Sequence, residues 1–272
     1  MSERGGQSLH SVDDLIRVME RLRDPEHGCP WDLKQDFQSI VPSTLEECYE
    51  LAHAIEQGDY HHVGEELGDV LFQVIFYAQL GREQDLFSFP EIVNTLVEKL
   101  VRRHPHVFAD GQIEGVVQDQ TSVEEVNATW EAIKASERGA REQHGILDDV
   151  PVALPALPRA QKLQKRAAGV GFDWPQVSPV LEKVEEEVAE LREALAQGQM
   201  DAIREEMGDL LFTCVNLSRH LKLDAETSLR ESSSKFEQRF RKMEAMAATA
   251  GTPLDALEDS ALDALWERAK TL

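Results

Sequence analysis

Cysteine is scarce. Cys29, Cys48 and Cys214 are the only three in 272 residues, and they show no paired spacing and no C-x-x-C. That excludes a disulfide framework and a thiolate metal knuckle, and it fits a reducing, cytoplasmic setting. A long hydrophobic run is also missing. The richest stretch, Val70 to Leu80, is broken by Gln73 and Gln79 and is too short for a bilayer, so no membrane association is expected. The opening Met1 to Gly6 is polar with no apolar segment behind it, which does not read as a signal peptide. Positive charge is in deficit, with 28 Lys and Arg against 51 Asp and Glu and a net charge of −23. Such a chain repels a bare nucleic acid, and no nucleic-acid partner is expected. A phosphorylated small molecule stays within reach if metal ions stand between the two anions. Finally, no stretch shows the alternation of a half-buried strand. The expected fold class is all-α.

What the chain does have is a copy of itself. Thr44–Phe72 laid over Val184–Phe212 without a gap gives 13 identities in 29 positions, including Glu46/Glu186, Glu47/Glu187, Glu50/Glu190, Gly58/Gly198, Glu66/Glu206 and Asp69/Asp209. At a slightly shorter offset, Lys99 and Arg103 match Lys235 and Arg239, and Trp130 matches Trp266. Internal repetition of this kind signals two homologous domains. Between the blocks, Gly139 to Pro158 carries Pro151, Pro155 and Pro158 and reads as a linker. The expected domains are 1–150, with the linker from about 139, and 151–272.

Helical signals fill both halves. Pro42-Ser43-Thr44 ahead of Glu46 and Glu47 suggests a cap, with a helix running to Gln57 and stopped by Gly58. Val63, Leu67, Val70, Leu71, Val74, Ile75 and Ala78 recur at helical spacing over 60–80. Further helices are expected over 89–103 and 123–136. Ser178-Pro179 suggests an N-cap followed by proline in the first turn. The second-half helices are expected over 179–197, 201–221, 225–248 and 260–270.

The two central helices of each half form a hairpin, and each arm carries acids three residues apart: Glu47 and Glu50 with Glu66 and Asp69, then Glu187 and Glu190 with Glu206 and Asp209. Residues three apart share a helix face, so antiparallel arms can bring four carboxylates together. A solvated acidic surface gives the same pattern. Two features favour a metal site. Glu187 lies well inside its helix, where capping does not explain it. Glu66 and Glu206 also interrupt apolar stripes, and carboxylates near a core are costly unless paired or metal-bound. All-oxygen ligands select a hard cation, Mg2+ or its substitute Mn2+. His61, His62, His104 and His106 have no counterparts in the second half and read as surface or loop residues. Lys235 and Arg239, four apart on one helix, are either a salt-bridge set or the cationic half of a triphosphate cradle. Trp266 is either core or a base-stacking platform.

The E-E-x-x-E and E-E-x-G-D pair in each half resembles the MazG family of nucleoside triphosphate pyrophosphohydrolases. So do Cys29-Pro30-Trp31-Asp32, Arg102 to Phe108, Val170-Gly171-Phe172-Asp173-Trp174 and Lys235 to Phe240. The resemblance spans nearly the whole chain. It implies tandem MazG-like helical domains whose four-helix cores are completed by homodimerisation. It also implies hydrolysis of NTP to NMP and diphosphate by water with Mg2+, mainly in the second domain. By position, Glu187, Glu190, Glu206 and Asp209 would hold metal, with Glu47, Glu50, Glu66 and Asp69 as second-site candidates. Lys183 to Glu187, Lys235, Arg239 and Trp266 would contact nucleotide, and Glu186 or a quartet member would activate water. Ser233 departs from the Asn common in the family. Broad base tolerance and a house-cleaning, nucleotide-pool or alarmone role go with this reading. The alternatives are a nucleotide- or metal-sensing helical binding protein without turnover, and an acidic helical scaffold.

Overall fold

A computed structural model describes residues 9–115, 122–140 and 145–271. The polar opening Met1 to Gly6 and residues 141–144 of the expected linker lie outside them. Among the described residues all regular structure is helical: α1 (Val12–Leu22), α2 (Val41–Gln57), α3 (Tyr60–Glu83), α4 (Phe89–Arg103), α5 (Val123–Ala140), α6 (Ala156–Ala168), α7 (Val177–Gln197), α8 (Met200–His220), α9 (Ala225–Ala250) and α10 (Asp259–Thr271). None is long and apolar enough to cross a membrane. The chain divides into two compact units, 1–134 and 135–272, so the division falls inside α5. The boundary near 150 expected from the prolines lies further on, among the turns of 145–155.

Each unit is built on a helix hairpin, α2–α3 in the first and α7–α8 in the second, each closed by a glycine. Gly58 (φ 70°) and Gly198 (φ 69°) adopt the left-handed conformation that ends the preceding helix, where any Cβ is penalised. A further helix packs on each hairpin, α1 on α3 and α6 on α8.

Both of these packing helices escaped the sequence reading. α1 opens with a capping box between Ser11 and Asp14. α6 begins at Ala156, so Pro158 is no linker residue; it sits in the first turn, where a missing N–H has no intrahelical partner to lose. The expected caps shift as well. α2 starts at Val41 after Ile40, which places Ser43 and Thr44 inside the first turn, and the Thr44 hydroxyl donates back to the Ile40 carbonyl (2.9 Å). α7 follows Gln176, which puts Ser178 inside the helix.

The core of the first unit gathers Met19, Ile40, Ile75, Phe76 and Leu80. Arg23 seals it. Its guanidinium donates to both Glu83 carboxylate oxygens (2.8 and 2.6 Å) and lies 5.4 Å from the Phe76 ring centre. A buried cation is tolerated when its donors are filled in this way.

Candidate functional site

On α7, Glu187 is 4% exposed, while Glu190, one turn on, reaches solvent. Glu206, half-buried, faces them from α8, and ligand oxygens of the three lie within 4.8 Å of one another. Asp209 falls outside that trio but acts on it. Burial first, then the charges of Glu190, Asp209 and Glu187, raise the Glu206 pKa above the usual carboxylate range. The first unit repeats the arrangement with Glu47, Glu66 and Asp69, leaving Glu50 outside. There burial, Asp69 and Glu50 raise Glu47. Each quartet is thus drawn together as a trio with the fourth acid close enough to perturb it.

The deeply buried member differs from the expectation. Glu66 is buried as its apolar neighbours imply, at 5% exposure, but in the second unit Glu187 takes that place and Glu206 is only half-covered. The buried acid meets a nitrogen-bearing side chain in both units, from different helices. Lys183 on α7 reaches Glu186 (2.8 Å) and Glu187 (2.9 Å), and these contacts raise its pKa. The matching residue of the first unit is Ser43. In its stead, His62 Nε2 lies 2.5 Å from Glu66 Oε1. His62 is exposed, as expected of a surface residue, and from α3 it also engages a carboxylate, a contact that the lack of a counterpart (Ala202 in the second unit) did not announce.

The donor set fits a hard cation. The other Glu66 oxygen, Oε2, is buried and has no hydrogen-bond partner, an acceptor whose desolvation a cation would repay. Glu186, by contrast, is exposed and held by Lys183. Arg204, two residues before Glu206, pairs outward with Asp201 (3.0 Å) and adds no cation to the trio.

Lys235, Arg239 and Trp266 form a second group, on α9 and α10. Phe236 packs against Trp266 (5.3 Å between centroids) and stacks on Phe240, and the Arg239 guanidinium lies 6.0 Å from the Trp266 ring centre. Trp266 thus lies against the arginine's guanidinium. Lys235 projects to solvent. No hydrogen bond or ion pair among the described residues joins this group to the carboxylates. The Ser233 hydroxyl donates to the Leu229 carbonyl (2.9 Å), which occupies its only proton. In the first unit His104 stands where the second has Phe240, and its ring lies against Trp130 (6.4 Å).

One further network was not anticipated. Asp173 receives both terminal guanidinium nitrogens of Arg219 (2.9 and 2.5 Å), lies 3.0 Å from His220 Nε2, and is held below the usual carboxylate range, first by the Arg219 hydrogen bonds. The Phe172-Asp173-Trp174 run announces this corner in the sequence, but its partners sit far away on α8.

The duplicated carboxylate hairpins have counterparts in known proteins. The MazG nucleotide pyrophosphohydrolase domain matches twice, over residues 35–108 and 177–243. The nucleoside triphosphate pyrophosphohydrolase of Escherichia coli K12 is 47% identical over 264 residues, 96% of this chain and 98% of that one. The nucleoside triphosphate pyrophosphohydrolase/pyrophosphatase MazG of Thermotoga maritima is 45% identical over 258 residues, 95% of each. With two matches of the domain, placed on the two hairpins, and relatives aligned nearly end to end, the chain belongs to the MazG family.

Proposed function

We propose that the chain is a Mg2+-dependent pyrophosphohydrolase that converts a nucleoside triphosphate and water to the monophosphate and diphosphate, with broad base tolerance. The observation that carries this reading is the Glu187–Glu190–Glu206 trio: three carboxylates from two helices, one of them buried, converging within one coordination sphere and duplicated in the other unit. The family and the names of its relatives support the same reaction.

In this reading Glu187, Glu190, Glu206 and Asp209 hold the metal. Bound there, Mg2+ would polarise the α-phosphoryl group and acidify a water, with Mn2+ as a substitute. Lys183, paired with Glu187 (2.9 Å), would hold the buried carboxylate in place. The water oxygen forms a bond to the α-phosphorus and its proton passes to a carboxylate, for which Glu186 stands nearest in sequence. The α–β bridging bond breaks and its electrons leave on diphosphate. Lys235 and the Trp266-anchored Arg239 meet that departing charge, the forked guanidinium matching two phosphate oxygens. The Glu47–Glu50–Glu66–Asp69 site is a second metal site of lesser activity. The test is diphosphate release from a panel of ribo- and deoxyribonucleoside triphosphates with Mg2+. Release of diphosphate with EDTA-sensitive kinetics is expected. Release of orthophosphate alone, or binding without turnover, would replace the hydrolase with a nucleotide-sensing module.

We also propose a cytoplasmic homodimer, with a nucleotide house-cleaning role. The support is a stripe left uncovered in both copies: Leu67, Leu71 and Val74 on α3, and Met207, Leu211 and Cys214 at the same register on α8 are all exposed. Repeated apolar stripes on a charged surface favour burial against a second copy, and a two-fold pair is the commonest closed form. Light scattering should give twice the chain mass, and Leu211→Glu should halve it. A monomeric wild type with full activity at nanomolar concentration would contradict the dimer.

A further inference from the structure

Glu206, Asp209, Thr213 and Asn216 follow one another on α8 at spacings of three, four and three residues, so they share one stripe. The first two belong to the carboxylate site. The last two line a cavity of about 300 Å3 between α6 and α8. At 1.5 Å per residue, Asn216 stands about 10 Å along the axis from Asp209. That is the reach from an α-phosphate through a ribose to its base. Phe172 and Trp174 stand at the mouth; Phe172 is 80% exposed. Exposed aromatics beside an apolar cavity are poised to cover a flat ring.

The cavity also holds an unsatisfied polar edge. Gln164 is 7% exposed; its amide nitrogen donates to the Phe212 carbonyl (2.8 Å), which fixes the amide orientation and leaves Oε1 buried without a partner. Across from it, Asn216 Oδ1 accepts from Arg219 (2.9 and 2.7 Å), and Arg219 is itself held by Asp173. The Asn216 amide is thereby also oriented, with its NH2 left as a donor. An acceptor and a donor lining one cavity complement the base edge of every common nucleotide, which offers both an N–H and an acceptor.

We infer that this α6–α8 cavity is the nucleobase pocket of the second unit, reading the base edge through Gln164 Oε1 and the Asn216 amide. The inference rests on the hydrolase reading for its ligand. It goes further in saying that, among the described residues, the first unit fills the position that reads the base edge. Continuing the repeat register, Phe76 occupies the position of Asn216, is fully buried, and packs edge-on against Phe72 (5.9 Å) in the core with Met19 and Leu80. The stripe that carries a base edge in one copy carries core in the other.

The test is steady-state kinetics of the full chain on uridine triphosphate. Asn216→Phe, which copies the first unit, should raise KM at least tenfold with little change in kcat, because it removes binding shared by ground and transition states. A second measurement needs no variant. N3-methyluridine triphosphate, which puts a methyl against Gln164 Oε1, should show the same KM penalty on the wild type, since a buried unpaired acceptor is worth about 1–3 kcal/mol, or five- to 150-fold. Unchanged KM for a folded Asn216→Phe, or equal KM for the two triphosphates, overturns the pocket. A wild type that hydrolyses no triphosphate sinks the hydrolase reading instead. The pocket is then judged by whether uridine triphosphate quenches Trp174 fluorescence in the wild type and not in Asn216→Phe. Quenching in neither overturns it.

Discussion

Glu206→Gln should lose catalysis and gain stability. The substitution keeps the side-chain volume but removes one of the charges converging on the metal position. Loss of a transition-state electrostatic contact of this kind costs about two to three powers of ten in turnover. Without metal the same charge is a burden. Burial and the carboxylates of Glu190, Asp209 and Glu187 raise the folded-state pKa of Glu206, so the folded chain binds its proton more tightly than the unfolded one. Stability tied to this group is present at low pH and is lost as pH rises from the ordinary carboxylate value through the raised one. Above the raised value the penalty is in force. The glutamine variant should therefore melt higher than the wild type in EDTA, and magnesium should no longer raise its melting temperature. Calorimetric melts with and without Mg2+, beside diphosphate release, read both effects. Near-normal turnover in the folded variant would remove Glu206 from the site, and a lower EDTA melt would mean that the acid serves the fold rather than the metal.

The hairpins were legible because their determinants are local. Gly58 and Gly198 close the turns wherever the arms pack, three-residue spacing puts two acids on one face, and a helix over Phe89–Arg103 follows from its own periodicity. What the sequence hides depends on neighbours that are distant in the chain. Glu187 is more deeply buried than Glu206, although Glu206 is the one set among apolar residues on its own helix. Burial is decided by what lies across the hairpin, and periodicity along one helix does not report it. His62 shows the same limit: with no counterpart in the second unit it looks incidental, yet it contacts the buried carboxylate as Lys183 does in the other copy, from the opposite arm. Pro158 misled for another reason, since proline breaks a helix interior and also opens one, and only its position decides.

Glu190→Gln should abolish activity on a mixed nucleotide panel, while Glu50→Gln should leave most of it. Both units keep four acids, a Lys–Arg pair and a tryptophan, so the difference has to come from what surrounds them. Several arginines near the two quartets are already paired and do not separate them. In the first unit Arg17 pairs with Asp14 on its own helix and Arg23 with Glu83 on α3, so both are already engaged. In the second, Arg166 pairs with Asp149 and Arg204 with Asp201. Lys183 is different, because it sits against the buried carboxylate itself, where the first unit has Ser43. A fixed ammonium beside the trio offsets like-charge repulsion and attracts a substrate of about four negative charges. The first unit has only His62 in that place, an imidazole nitrogen against Glu66 in place of an ammonium. The filled Asn216 position in the first unit adds to the asymmetry, because a triphosphate held by metal alone is bound without its base. We therefore expect Glu190→Gln to lower kcat/KM by about 10²- to 10³-fold. Glu50 lies outside its own trio, so Glu66→Gln should accompany Glu50→Gln as the more disruptive first-unit variant. Activity that survives Glu190→Gln and disappears with Glu50→Gln or Glu66→Gln would transfer the chemistry to the first unit, and with it would fall the weight placed on Lys183.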